Sequence, residues 1–361
     1  MAKLDFNPEM LKLARYARKL TQTALAKSLK VKSAFISQLE AGVVGMPEEF
    51  FKNLIEILEF PASFFEQRTT FLDGCSKMYR AQKAFKSIDR DYIDTYASFY
   101  NRHISKLLES DLFDVKEFKL PENRPDEYNS PEDVAMAVRE YWNVPRGPIK
   151  NLTKLIEDAG IFIIPMRINN PYFDATFYIN EQNNFAIIVI NSNVSSDRYR
   201  FNLAHELGHL IMHRLPNADC EKQAQEFASA FLLPRKDISE DLAGITFWDL
   251  LSLKKKWMVS MQSIAYRAHT MRKISDKQYE SIWKLINSYG YRKNEPNADI
   301  PIEKPVMLKY LIKFYLSELN YTKKQLCEYL CINPIDYNKM YGILLGEYYS
   351  QNDNKILKRV K

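Results

Sequence analysis

Three of the chain's five histidines, His205, His209 and His213, fall within nine residues. His205 and His209 are four apart, so a helix places both imidazoles on one face, about one turn from each other. Two imidazoles so placed suit a single Zn²⁺, and Glu206 beside them offers a carboxylate to take a proton from water. The flanks, Phe201-Asn202-Leu203-Ala204 and Leu210-Ile211-Met212, are apolar enough to bury such a helix. The run therefore calls for a covered helix with one polar, metal-accepting face.

A third ligand is expected downstream. Residues 220–234, from Cys220 to Pro234, have a helical pattern ended by proline. Ala224, Ala228 and Phe231 form its apolar stripe, and Glu221 lies one turn before Ala224 on that stripe. A carboxylate in line with a buried face is costly unless something pairs with it, and a metal would do so. The alternative is a helix N-terminal carboxylate favoured by the dipole. Glu226 falls on the other side and reads as solvated. His213 is the rival third ligand, but on a straight helix the three histidines span about 12 Å of rise, too far for one metal. Glu221 is preferred, with His213 as a residue behind the ligands or at the helix C-terminus. Two histidines and one glutamate would also accept Mn²⁺ or Fe²⁺.

Before the histidine run stand three β-rich stretches, Ile161–Ile164, Ala175–Ile179 and Phe185–Ile190. Asn169-Asn170-Pro171 and Glu181-Gln182-Asn183-Asn184 separate them as turns. They predict a small sheet packed on the metal helix, offering an edge to an extended peptide.

The 361 residues allow two or three domains with a real core. No apolar run reaches membrane-spanning length, and Met1–Phe6 lacks the apolar core of a signal peptide, so a cytoplasmic protein away from membranes is expected. Cys75, Cys220, Cys327 and Cys331 form no disulfide framework, which fits a reducing compartment. Cys327 and Cys331 read as small buried apolar residues.

Net charge is +6, and its placement matters more than its size. Between Leu11 and Leu39 stand Lys12, Arg15, Arg18, Lys19, Lys27, Lys30 and Lys32, with no acidic residue. Thr21–Leu29 reads as one short helix, Lys30-Val31-Lys32 as a turn, and Ser33–Ala41 as a second helix closed by Gly42. Ala24, Leu25, Val31, Ile36 and Leu39 have the spacing of a helix-turn-helix core. The second helix leaves Ser33, Ala34, Ser37 and Gln38 for its outer face, side chains suited to base edges in a major groove. Gln22, Lys27 and Lys32 are placed to hold phosphates of double-stranded DNA. A helical protein-interaction module with a solvated basic face is the alternative. Lys30 occupies a position where glycine would ease the turn.

Residues 67–108 read as helical, with Tyr92, Tyr96, Phe99, Tyr100 and Ile104 as an apolar stripe. Residues 109–131 read as a charged, proline-bearing linker, and Asn294–Pro301 as another. Residues 306–348 form a helical unit rich in Tyr and Leu, either a dimerisation or partner module or a cap, and Lys355–Lys361 is a basic tail. No internal repeat is evident.

Residues 8–66, including Phe60–Phe65, resemble an XRE-type helix-turn-helix. Residues 132–292 resemble the ImmA/IrrE metallo-endopeptidases, through Trp142–Ile149, Leu155–Gly160, Arg198–His209, the Glu221–Pro234 helix and Trp257–Gln262. The Met78-Tyr79-Arg80 stretch is similar to the connector of two-domain members. Gln223 departs from the pattern, since many members carry a second glutamate there. The resemblance implies a gluzincin-like α+β fold, mostly helical, with His205, His209 and Glu221 as zinc ligands and Glu206 as catalytic base. It also implies a protein substrate that is itself a repressor or regulator. Tyr178, Arg198, His213 and Arg267 are the candidates to steady the oxyanion of a cleaved peptide bond. The expected organisation is a DNA-binding domain over 1–66, a connector over 67–131, a peptidase domain over 132–292 and a helical extension over 293–361. A homodimer is compatible with this organisation. The two functions to be separated are an active zinc endopeptidase targeted by its DNA-binding module, and a DNA-binding regulator whose peptidase fold is a sensor or scaffold.

Overall fold

The computed structural model describes residues 6–68, 86–109, 130–213, 218–296 and 299–346. Cys75, Met78-Tyr79-Arg80, nearly all of the 109–131 segment and the tail from Lys355 lie outside them. The described residues are mostly helical, with one three-stranded sheet, an α+β fold. None of their helices is long and apolar enough to cross a membrane. They divide into two units, one made of residues up to 68, 86–109 and 306–346, the other of residues 130–305.

In the first unit, helices start where the sequence supplies caps. Asn7 accepts from the Glu9 N–H at the head of α1 (Pro8–Ala17), and Thr21 from the Ala24 N–H at the head of α2 (Gln22–Ser28). The chain then turns through Lys30, whose φ of 57° is one that glycine adopts without cost, and enters α3 (Ser33–Glu40). Leu25, Ile36 and Leu39 are fully buried between these helices. α4 (Glu48–Leu58) and α5 (Ala62–Phe65) follow, and α6 (Ser87–Leu108) buries Tyr96, Phe99, Tyr100 and Ile104.

Three C-terminal helices belong to this same unit: α15 (Met307–Ser317), α16 (Lys323–Leu330) and α17 (Pro334–Leu345). The Tyr100 hydroxyl donates to the Met340 carbonyl and the Tyr315 hydroxyl to the Leu107 carbonyl, each at 2.9 Å. Arg18 makes paired bonds of 2.8 and 2.7 Å to Asp336. Cys327 and Cys331 are buried free thiols.

In the second unit, α7 (Pro131–Tyr141) and α8 (Leu152–Glu157) precede the sheet of β1 (Ile161–Met166), β2 (Ala175–Asn180) and β3 (Phe185–Asn191). β3 is central, parallel to β1 and antiparallel to β2, with Phe177 opposite Ile188 and Ile163 beside it. Alternation sends Ile161, Ile163, Phe177, Ile188 and Ile190 to one face. That face packs on Leu203, Ala204 and Leu207 of α9 (Ser196–Met212). Phe162, Ile164, Tyr178, Ile187 and Val189 on the other face are buried as well. α10 (Cys220–Leu232) lies against α9, and α11 (Arg235–Ile238), α12 (Leu250–Trp257), α13 (Met261–Thr270) and α14 (Asp276–Ser288) complete the unit.

The Asn294–Pro301 stretch, expected as a linker, begins with an anchor. Glu295, its side chain 7 % exposed, accepts from Lys254, from the Gln262 side chain and from the Met261 and Gln262 backbone N–H groups. Further on, Glu303 pairs with the buried Arg200 of α9 and accepts from the Thr153 N–H. A linker would leave such carboxylates in water; here each meets a buried cation.

Candidate metal centre

His205 and His209 face the same point from successive turns of α9, their Nε2 atoms 3.0 Å apart. The Glu221 carboxylate reaches over from the first turn of α10, Oε1 3.5 Å from His209 Nε2 and Oε2 3.6 Å from His205 Nε2. Ligands about 2.0–2.1 Å from a tetrahedral zinc would stand about 3.3 Å from one another, so these three donors fit. The three form a metal-capable cluster among the described residues. Glu221 remains half-exposed, which leaves the centre open on one side.

The close approach of α10 to α9 depends on Gly208. A Cβ built there would meet the Phe227 ring at 2.9 Å and the Phe227 Cβ at 3.2 Å. Any added Cβ would force the Phe227 side chain or the helix that carries it to shift, and Glu221 sits on that same helix.

A relay behind His209 sets its ring. His213 caps α9, its N–H donating to the His209 carbonyl at 3.0 Å. Its Nδ1 lies 3.0 Å from His209 Nδ1, and its Nε2 lies 2.8 Å from Gln223 Oε1. The Gln223 carbonyl oxygen only accepts, so His213 carries its proton on Nε2 and offers Nδ1 as an acceptor. His209 then donates from Nδ1 and keeps its Nε2 lone pair for the metal. Burial, more than any other cause, holds the His213 pKa down and keeps that ring neutral. Phe177 stacks on His209 from the sheet, ring centroids 6.5 Å apart. His213 thus stands behind a candidate ligand, joined to the His209 nitrogen other than the one that meets His205 and Glu221.

Glu206 is buried, and its carboxyl is pushed up to about 8, first by burial and then by the charges of Glu221 and Asp174. Glu221 is held well below the usual carboxylate range, chiefly by hydrogen bonding to His205 and then His209. Two carboxylates in one site are thereby driven apart, one proton-holding and one ionised, the division of labour that acid–base chemistry needs.

Two of the oxyanion candidates do not share the site. Tyr178 follows Phe177 in β2 and faces the opposite side of the sheet from His209. Arg267 is buried, bound to the Leu233 carbonyl at 3.0 Å and to Glu132 at 2.8 Å. Leu233 is twelve residues beyond Glu221, about 18 Å of helix away. Both positions looked eligible in sequence because spacing does not reveal which face or end of an element meets the metal. Arg198 stays on the half-exposed rim, tied to Asp174 at 2.7 Å, and Asn202 bonds the same carboxylate at 3.3 Å. Asp174 itself carried no signal in sequence.

The sequence of this region can now be set beside known families. Residues 156–269 match the model of the IrrE N-terminal-like domain of the M78 peptidases. The match spans the sheet, α9, α10 and the helices through α13, so His205, Glu206, His209 and Glu221 all lie inside it. The matched region is thus similar to a metallopeptidase-type domain and holds a candidate two-histidine, one-glutamate metal cluster. No curated protein gives a significant match to the chain.

In the first unit, Lys32, Ser33, Ala34, Ser37 and Gln38 are all exposed along one side of α3, and Lys27 is exposed on α2. Gln22 is only partly exposed. Its amide donates to Glu40 at 2.8 Å, alongside the 2.6 and 2.9 Å bonds from Arg15. Arg18 and Lys19 are likewise paired, with Asp336 and Asp89. The basic run therefore presents Lys27, Lys30 and Lys32 outward, fewer charges than the sequence count suggests.

Proposed function

We propose that the chain is a zinc-dependent endopeptidase that also binds double-stranded DNA and acts on a protein regulator. The observation that carries the first part is the convergence of His205 Nε2, His209 Nε2 and the Glu221 carboxylate at tetrahedral spacing, with Glu206 buried beside them. A zinc ion bound there supplies Lewis acidity and makes water a competent nucleophile near neutral pH. Glu206 accepts the proton released as water attacks a peptide carbonyl and returns it to the leaving amine. In the metal-free protein burial and the charges of Glu221 and Asp174 raise its affinity for a proton; the positive charge of a bound zinc would oppose that and favour the ionised, proton-accepting form. Arg198, fixed by Asp174 on the rim, orients the incoming peptide rather than the reacting atoms.

The DNA-binding part rests on α3. Its exposed Ser33, Ala34, Ser37 and Gln38 are small or polar, and Lys27 and Lys32 flank them. The class of protein substrate, a repressor or other regulator, follows from the resemblance to ImmA/IrrE endopeptidases. The second reading, a DNA-binding regulator with an inactive peptidase fold, is favoured by that same face of α3, which proteolysis alone does not need. Two measurements separate them. Protein purified without added metal should carry near-stoichiometric zinc by elemental analysis, lost in His205→Ala. Wild-type protein incubated with a cell extract should then create new protein N-termini that Glu206→Gln does not. Zinc without new termini would favour the regulator reading.

A further inference from the structure

The last three helices of the first unit repeat the first three. Cys331 stands 301 positions after Lys30, and both are non-glycine residues in the left-handed region, at φ 55° and 57°. At the same offset Asn320 matches Lys19, at φ 56° and 52°. Thr322 caps α16 by accepting from the N–H three residues on at 3.2 Å, as Thr21 caps α2 at 3.1 Å. The Ile332 N–H bonds the Cys327 carbonyl at 3.0 Å, as the Val31 N–H bonds that of Ala26 at 2.9 Å. Leu326, Cys327, Tyr337 and Met340 are buried where Leu25, Ala26, Ile36 and Leu39 are. The turn between α12 and α13 also has a left-handed residue, Met258, but eleven positions earlier Phe247 lies in a 3-10 helix. The three-helix match, with both of its left-handed breaks, therefore goes beyond a common local turn. It corrects the expectation that the chain holds no repeat; few side chains are shared, so only caps and torsions reveal it.

The two copies differ in what their last helix faces. In α17 the counterpart of Gln38 is Lys339, whose Nζ donates to the Tyr96 hydroxyl of α6 at 2.6 Å. Asp336, beside it, holds Arg18 of the first copy, and Asn333 bonds both Asp336 and the Glu59 carbonyl. Tyr341, at the position of Glu40, bonds His103 of α6 at 2.7 Å. At the place of Ser33 and Ala34 stand Pro334 and Ile335, which offer no donor to a base edge.

We infer that residues 307–345 are a second copy of the three-helix unit, turned inward: α17, the counterpart of α3, braces α1 and α6 instead of contacting nucleic acid. This assigns the C-terminal helices a partner within the chain, with the Arg18–Asp336 pair as its fastening. The contrast between the copies rests on reading α3 as the DNA-contacting helix, whereas the brace does not.

Two experiments on the full chain test it. In gel shifts at fixed salt with a random-sequence duplex pool, Ala34→Glu should weaken binding about tenfold or more, while Ile335→Glu leaves it unchanged. Equal weakening by both would make α17 a second DNA-contacting helix and overturn the inference. A double-mutant cycle of Arg18→Ala and Asp336→Ala, read by chemical denaturation, should show coupling of about tenfold or more in the unfolding constant. Asp336→Asn and Arg18→Lys replace any alanine variant that does not fold. Coupling within about twofold of none overturns the brace. If the wild type binds no DNA, the reading of α3 fails, and the cycle alone decides the brace.

Discussion

Phe227 lies against the α-carbon of Gly208, so close that any side chain at position 208 would overlap its ring. The contact sits between the helix that carries two candidate ligands and the helix that carries the third. Gly208→Ala should therefore act on stability and metal together. Overpacking of this kind costs about 1–3 kcal/mol. Denaturation of the metal-free protein should show that loss, and elemental analysis should show reduced zinc although no ligand has changed. Full zinc occupancy would mean that the two helices absorb the added Cβ without moving Glu221.

Gln223 is linked to the candidate ligand His209 through the His213 ring, so it should act on a bound metal. With Gln223→Leu, His213 loses the acceptor that fixes its proton on Nε2, and His209 loses its fixed tautomer. Substitutions one step behind a ligand usually weaken metal affinity about 10- to 100-fold. Competition against a chelator should show a loss in that range, with little change in the folding of the metal-free protein.

Glu206 makes the metal-free protein sensitive to pH. Its folded value of about 8 lies above the ordinary 4.5, so the folded state holds a proton that the unfolded chain releases. This contribution to stability is complete below about pH 4.5 and is lost as pH rises toward 8. Glu206→Gln removes the dependence. In chelator, the variant should be no more stable than wild type near pH 4.5 and clearly more stable at pH 8. A constant difference across that range would contradict the burial of an ionisable group there.

Glu303 and Arg200 form a buried pair that ties the 299–305 segment to α9. Removing one partner of such a pair costs about 3–5 kcal/mol, because the other charge stays buried. Glu303→Ala should therefore be strongly destabilising by denaturation. Glu303→Met combined with Arg200→Met should recover much of the loss.

The sequence made the metal helix legible because its information is local: four-residue spacing, an apolar flank, a glutamate on the stripe of the next helix. The sheet was legible for the same reason, from β-branched runs and asparagine turns. Tyr178 and Arg267 were misplaced because the face of a strand and the far end of a helix are settled by packing. The roles of Gly208 and Asp174 were invisible, since each depends on an element that arrives from elsewhere in the chain. Glu295 lay in a stretch that looked like a linker, and Glu303 just beyond it, because composition says nothing about the cations awaiting them.

Arg267 finds its carboxylate at Glu132, Lys254 finds one of its own at Glu295, and Arg200 finds its at Glu303. All three acidic partners fall outside residues 156–269, the part that matches a known family model. A fragment cut to the recognisable span would bury three cations with a counter-charge missing from each. Evolutionary resemblance and physical self-sufficiency thus have different borders in this chain, and any dissection of it into working pieces has to follow the second.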